Sequence, residues 1–262
     1  MSNPSHPCIN SDGTTDVLDS GSSKSVLTYS ALNTFRNCPR KYKHRYVDSL
    51  RPRERPEALS FGSVIHGAIE LWYQSPADDD RLWTVLDYID QQFPERVGDE
   101  QQTAAWHLAR AMITGYASRY PSEDFDVVEV EKTFTGEIRN PDTGRPSQTF
   151  VIAGKADAIV QQPDGMYLLE HKTASSIDAN YLDKLWTDTQ IALYSHYLRQ
   201  LGYPIVGVIY NVLLKCRLKQ KAGETQEEYE ARRAELAAKN KSGKSTAKRQ
   251  MPESDEEYQA RL

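Results

Sequence analysis

Cysteine is scarce and scattered, with Cys8, Cys38 and Cys216 the only three in 262 residues. An odd number at such wide spacing excludes a disulfide framework, and no pair has zinc-finger spacing. Long apolar runs are also missing. The best candidate, residues 203–214, is too short and too interrupted to cross a bilayer, and the N-terminus shows no charged-then-apolar leader. Neither sign of charge dominates, since 32 Lys and Arg against 37 Asp and Glu leave a formal charge of -5. No global positive field therefore draws the chain to polyanions, and any such affinity has to come from a local basic groove. Internal repeats are absent. The expectation from these absences is a soluble protein of a reducing, cytoplasmic compartment without a membrane partner.

What is present is 39% hydrophobic and 10% aromatic residues, enough for one substantial core. Residues 1–25 are rich in Ser, Asp, Gly, Asn and Pro and read as a disordered tail. A helical pattern follows, with Ser30 the expected cap and Leu32, Phe35, Tyr42 and Tyr46 on one side. Arg36, Arg40, Lys41, Lys43 and Arg45 crowd around that side, and Pro39 is placed to kink the helix. After a charged, Pro-containing link over 51–58, Ser60 or Ser63 is the expected start of a second helix. It carries Ile65, Ile69 and Trp72 on one stripe and His66, Glu70 and Tyr73 on another. Helical spacing recurs over 81–92 and 100–118.

Past Pro121 the period becomes strand-like, over 127–134, 149–160 and 166–172, with Pro163-Asp164-Gly165 as a turn between the last two. A helix over 186–201 closed by Gly202 and Pro204, then the apolar run 205–214, suggest a crossover onto a mixed sheet. The expected organisation is one domain over 26–218, mainly helical to 120 and α/β from 121. A charged helical or flexible segment is expected over 219–262, where acids and bases are interspersed.

The chemistry-bearing segment is Gly154-Lys155-Ala156-Asp157 on one strand and Leu168-Leu169-Glu170-His171-Lys172 on the next. Alternation aims Glu170 and Lys172 to one face and Leu169 and His171 to the other. The loop over 162–165 is expected to pair Gln161 with Met166, which puts Asp157 opposite Glu170 on the same face, or else a bulge does the same; a five-residue loop without a bulge would separate them. Two adjacent carboxylates are costly without a cation, and hard oxygen ligands with open positions suit Mg²⁺ or Mn²⁺. Such a site, with Lys172 beside it, suits hydrolysis of a phosphodiester. An exposed cross-strand Glu–Lys pair is the other account of the triplet taken alone.

Together with Ser30-Ala31-Leu32, Cys38-Pro39-Arg40-Lys41-Tyr42, Gly62-Ser63-Val64-Ile65-His66, Val130-Glu131-Lys132 and Gln190-x-x-x-Tyr194, these pieces stand in the order of one family. The chain resembles the RecB-like exonuclease branch of the PD-(D/E)XK nuclease superfamily from about Ser30 to Leu214. The resemblance implies a restriction-endonuclease-like α/β core, a mixed sheet flanked by helices, with an N-terminal helical region. It implies His66, Asp157, Glu170 and the His171 backbone carbonyl as ligands of Mg²⁺ or Mn²⁺, and Lys172 as the catalytic lysine. Glu170 stands where the family often has Asp.

Gln190 and Tyr194, one turn apart, either face the groove to hold DNA and order the site or pack in the helix–sheet core. Glu131 is read as an accessory. Arg40, Lys41 and Tyr42 either guide a strand, with phosphates on cations and bases on rings, or form a solvated face. Some relatives hold a [4Fe-4S] cluster with one Cys at the place of Cys38 and three near the C-terminus. No such trio follows in this sequence; either this is a member without a cluster or a C-terminal segment is absent, and the expectation is no cluster in this chain. The expected function is hydrolysis of DNA from an end, in repair, recombination or phage DNA metabolism, with a helicase, recombinase or single-strand-binding protein as candidate partner. The alternatives are a DNA-binding or assembly module with little activity alone, and an RNA-directed or flap endonuclease.

Overall fold

The computed structural model describes residues 24–53, 57–94, 96–240 and 244–262. The tail expected over 1–25 lies outside the described residues but for its last two. A five-stranded mixed sheet carries the fold: β1 (Ser25–Thr28), β2 (Asp126–Arg139), β3 (Pro146–Gln162), β4 (Gly165–Ala174) and β5 (Ile205–Leu214). The order is β1-β3-β4-β5, with β2 also on β3. β1, which hydrophobic periodicity did not reveal because it is only four residues long, pairs parallel with residues 150–153 of β3.

β2 runs antiparallel along one edge of β3 from Gln161 to Pro146. The other edge is shared, with β1 taking 150–153 and β4 taking 158–162. Residues 154–157 thus face a split between β1 and β4. Gln161 pairs with Met166 as the spacing predicts, and Gln162 pairs with Gly165, so the turn is only Pro163-Asp164. The β3–β4 ladder ends at Ala158 and Leu169, one step before Asp157 meets Glu170.

Helices cover both faces. On one side pack α3 (Glu57–Gln74), α4 (Arg81–Gln92) and α5 (Glu100–Arg119), around buried Ile65, Ile69, Val85, Ile89 and Ile113. On the other, α1 (Tyr29–Asn37) and α7 (Thr189–Gln200) close over Phe134, Ile152, Ile159, Leu168 and Leu198. Each such fully buried Ile or Leu is worth about 1.5–3 kcal/mol. These two cores hold the sheet rigidly at the split.

Several boundaries differ from the sequence reading. Thr28, not Ser30, caps α1, its hydroxyl accepting from Ala31 N at 3.2 Å. The helix does not bend through Pro39 but stops at Cys38 and restarts as α2 (Pro39–Tyr42), followed by a π-helical turn (Lys43–Val47). Proline at the first position of α2 costs no hydrogen bond there. Of the expected apolar side only Leu32 joins the core; Phe35 is 52% exposed, and Tyr42 and Tyr46 stack on one another. α3 starts at Glu57, ahead of both serines, and part of the link over 51–58 lies outside the described residues. The helix expected over 186–201 starts later, as α7 capped by Asp188, and a separate short helix that the sequence reading did not give, α6 (Ala179–Leu185), precedes it. Trp186 lies between them, 91% exposed.

The C-terminal segment forms α8 (Gln226–Lys239) and α9 (Asp255–Arg261), each opened by a capping box. α9 docks on α5 through Tyr258, which is buried and donates to the Leu218 carbonyl at 2.9 Å. Among the described residues no helix is long and apolar enough to cross a membrane.

Candidate active site

The split beside residues 154–157 of β3 is lined by side chains from four elements. β3 brings Asp157, whose Oδ2 accepts the His171 N–H at 2.8 Å and lies 3.6 Å from His66 Nδ1 on α3. β4 brings Glu170 and Lys172, joined as an ion pair, and α7 brings Gln190. Gln190 Nε2 donates to Glu170 Oε1 at 2.9 Å, and Lys172 Nζ donates to Gln190 Oε1 at 3.3 Å. Asp188 positions Gln190 by accepting its backbone N–H at 2.8 Å.

Strand alternation explains Glu170 and Lys172 but not Asp157. Leu168 packs beneath α7 and Leu169 on the opposite side, so Glu170 and Lys172 project toward α7. His171 projects the other way, its ring 5.8 Å from Tyr73 and 6.2 Å from Tyr116. On β3, Ala156 and Ile159 lie on the α7 side whereas Ala158 and Val160 lie on the other, so the alternation slips at Asp157. The strand thus departs from a regular ladder at Asp157, the irregular of the two forms expected for it, and the acids stay neighbours, with the charge on Asp157 bearing on Glu170. The ladder opens and the Asp157 carboxylate turns into the gap, where the His171 N–H meets it.

Glu131 sits opposite Asp157 in the β2–β3 register and has a positive φ of 54°. A left-handed backbone at a non-glycine residue costs about 1–2 kcal/mol and concentrates at functional sites. Glu131 pairs with Lys155, neutralising the lysine nearest Asp157 on β3 and leaving Lys172 as the ammonium paired with Glu170.

The electrostatics separate the two acids. Burial, with the charge on Asp157 adding to it, pushes Glu170 up to about 7 while Lys172 pulls the other way. Burial would also raise Asp157, but His66 and the His171 N–H outweigh it and hold that carboxyl below its usual range. Burial would lower Lys172, yet the Glu170 carboxylate raises it, so the ammonium persists. Burial pushes the His171 imidazole down to about 4, and the ring is a neutral part of the core.

Glu170 Oε2 is buried and has no hydrogen-bond partner among the described residues. An orphaned carboxylate oxygen beside a second carboxylate fits a hard divalent cation, which can hold it without the cost of an unmade bond. No three His, Cys, Asp or Glu side chains among the described residues are already gathered closely enough to cage a metal. Oε1 of Glu170 is committed to Lys172 and Gln190, leaving Oε2 for a cation.

Gln190 reaches Glu170, and Tyr194 stands behind it, 8% exposed and edge-on against Phe134 at 5.1 Å, its hydroxyl hydrogen-bonded with Gln190 and within reach of the charge on Glu170. Gly154 permits that packing. A Cβ there would lie 2.9 Å from a Tyr194 ring carbon and closer still to Phe134. Gly154→Ala is expected to cost about 1–3 kcal/mol, read as a lower urea midpoint at unchanged m-value; an unchanged midpoint would contradict this packing.

Arg40, Lys41 and Tyr42 lie on α2, with no bond to the acids among the described contacts. Cys38 is exposed and its Sγ accepts from Lys41 N at 3.4 Å, so it caps α2. Two residues of the surroundings escaped the sequence reading. Asp188 carried a usable signal, an Asp directly before the helical run. Tyr29, which feels both Asp188 and Lys172, carried none.

No curated protein matches the chain. The family model of the PD-(D/E)XK nuclease superfamily matches residues 26–260, nearly all of the described chain and well past the span of the resemblance read from motifs. The family's name spells an Asp preceded by Pro and an acid-x-Lys triplet, here Asp157 after Ala156 and Glu170-His171-Lys172 on the next strand, and the chain belongs to the PD-(D/E)XK nuclease superfamily.

Proposed function

We propose that the protein is a metal-dependent deoxyribonuclease of the RecB-like kind, hydrolysing phosphodiester bonds from a DNA end in repair, recombination or phage DNA metabolism. The observation that carries this reading is the orphaned Glu170 Oε2 beside Asp157, with Lys172 held protonated against the same acid. A module that only bound DNA would have no use for two buried acids kept at such expense.

His66, Asp157, Glu170 and the His171 carbonyl would hold Mg²⁺ or Mn²⁺. When bound, the cation grips a phosphate oxygen and lowers the pKa of a water. Lys172 orients the attacking water and offsets charge building on the phosphoryl oxygens. Gln190 bridges Lys172 and Glu170, accepting from the first and donating to the second, and so fixes the ion pair in place. His66 and the His171 N–H keep Asp157 ionised at neutral pH.

The test is a time course with 5′- and 3′-labelled linear DNA and a closed circle in Mg²⁺ or Mn²⁺. Loss of linear DNA with the circle intact is expected, and the label released first gives the polarity. Cutting of the circle would replace the exonuclease reading by an endonuclease one.

A further inference from the structure

The strand that borders the split, β1, leads through α1 into an unusually basic stretch. Between Arg36 and Arg53 stand seven Lys or Arg and one acid, Asp48, in a chain whose formal charge is -5. Asp48 is already engaged by Lys43 and His44. Arg36, Arg40 and Lys41 are exposed, and their side chains make no ion pair among the described residues. Beside these cations runs an aromatic ladder. Phe35 meets Tyr42 edge-on at 5.4 Å, and Tyr42 stacks on Tyr46 at 5.2 Å.

The ladder is joined to the site through α1, which is about 13 Å long at 1.5 Å per residue. Its first residue, Tyr29, lies within electrostatic reach of Lys172, Asp188 and Arg36 together. Asp188 in turn reaches Lys172, and two residues before it stands Trp186, 91% exposed. Its indole faces are open to solvent and free to stack on a base. Cations interleaved with rings that are exposed, as in Phe35 and Trp186, or half-buried, as in Tyr42, suit a single strand, whose phosphates and unstacked bases are both free to be held. A duplex offers its phosphates but keeps its bases stacked on one another.

We propose, resting on the nuclease reading above, that one nucleic-acid strand reaches the carboxylates along α1 and α2, with Arg36, Arg40 and Lys41 on its phosphates and Tyr42 and Trp186 against its bases. This makes an unpaired strand the preferred substrate.

The experiment is fluorescence anisotropy of the full chain in EDTA, with a labelled oligothymidylate and a blunt duplex of equal length. Three variants are compared: Arg40→Ala with Lys41→Ala, Tyr42→Ala, and Trp186→Ala. The single strand should bind more tightly than the duplex. The Arg40/Lys41 variant should reduce the slope of log affinity against log salt by about 1.4, at ~0.7 per phosphate. Trp186→Ala, at a fully exposed position that cannot unfold the protein, should weaken binding about tenfold at unchanged slope. Equal affinity for duplex, or wild-type affinity and slope in all three variants, would overturn the proposal; exposed Phe35, Val47 and Leu50 would then mark a protein-docking face. Cleavage in Mg²⁺ is assayed separately. Its absence beside variant-sensitive strand binding rejects the nuclease reading, and its presence beside insensitive binding rejects the track alone.

Discussion

Lys172→Ala lowers the rate of DNA cleavage by about a hundred- to a thousandfold, the loss typical when one preorganised donor to developing charge is removed. The Lys172 ammonium sits against Glu170 and Gln190 and is kept charged despite burial. Nothing else described there replaces it, since Lys155 is held by Glu131. The protein itself survives the change. Glu170, raised to about 7, simply takes up a proton when its partner is gone. Single-turnover cleavage should therefore fall while the melting temperature and EDTA-stable DNA binding stay near wild type. Arginine should not rescue it, because a planar fork does not match an ammonium's position between Glu170 and Gln190. Full activity in Lys172→Ala would remove the lysine from the mechanism.

The second large effect concerns the cation. Mn²⁺ or Mg²⁺ has to displace the proton that Glu170 carries below about 7. The sign follows directly. As pH rises toward 7 the acid ionises, so apparent metal affinity climbs by up to about tenfold per pH unit and levels off above it. Saturating Mn²⁺, at about a hundredfold over its dissociation constant, should stabilise the fold by about 2.7 kcal/mol. Asp157→Asn removes a proposed ligand and also the like charge that helps raise Glu170, whose pKa falls as a result. Calorimetric titration should then show metal affinity lost or strongly weakened. Thermal melts should show no Mn²⁺-dependent shift. A Mn²⁺ response that survives Asp157→Asn, or one independent of pH, would place the cation elsewhere.

Much of the site was legible in the sequence because strand alternation and turn chemistry are local. The Pro163-Asp164 turn sets the register, and the register aims Glu170 and Lys172 together toward α7. The slip at Asp157 was legible only as one of two possibilities. It depends on β3 leaving β4 for β1, a tertiary choice, and on a left-handed Glu131 that no residue type announces. The helical layer was likewise visible as buried stripes, Ile65 and Ile69 among them, while Phe35, Tyr42 and Tyr46 kept a helical spacing yet stayed outside the core. Periodicity reports which residues share a side and not what that side meets. Trp186 shows the same limit: it continues the apolar pattern of α7 in sequence, but the cap at Asp188 excludes it from the helix.

The central claim is that phosphodiester hydrolysis occurs at the Asp157–Glu170–Lys172 split and requires a divalent cation there. The most direct measurement is cleavage of linear DNA as Mg²⁺ or Mn²⁺ is titrated into protein stripped with EDTA, with Asp157→Asn alongside. The account predicts no cleavage in EDTA, recovery that saturates with added metal, and a variant that stays inactive at every metal concentration giving full wild-type activity. Cleavage that persists in EDTA, or an Asp157→Asn protein that cuts at the wild-type rate, would contradict it.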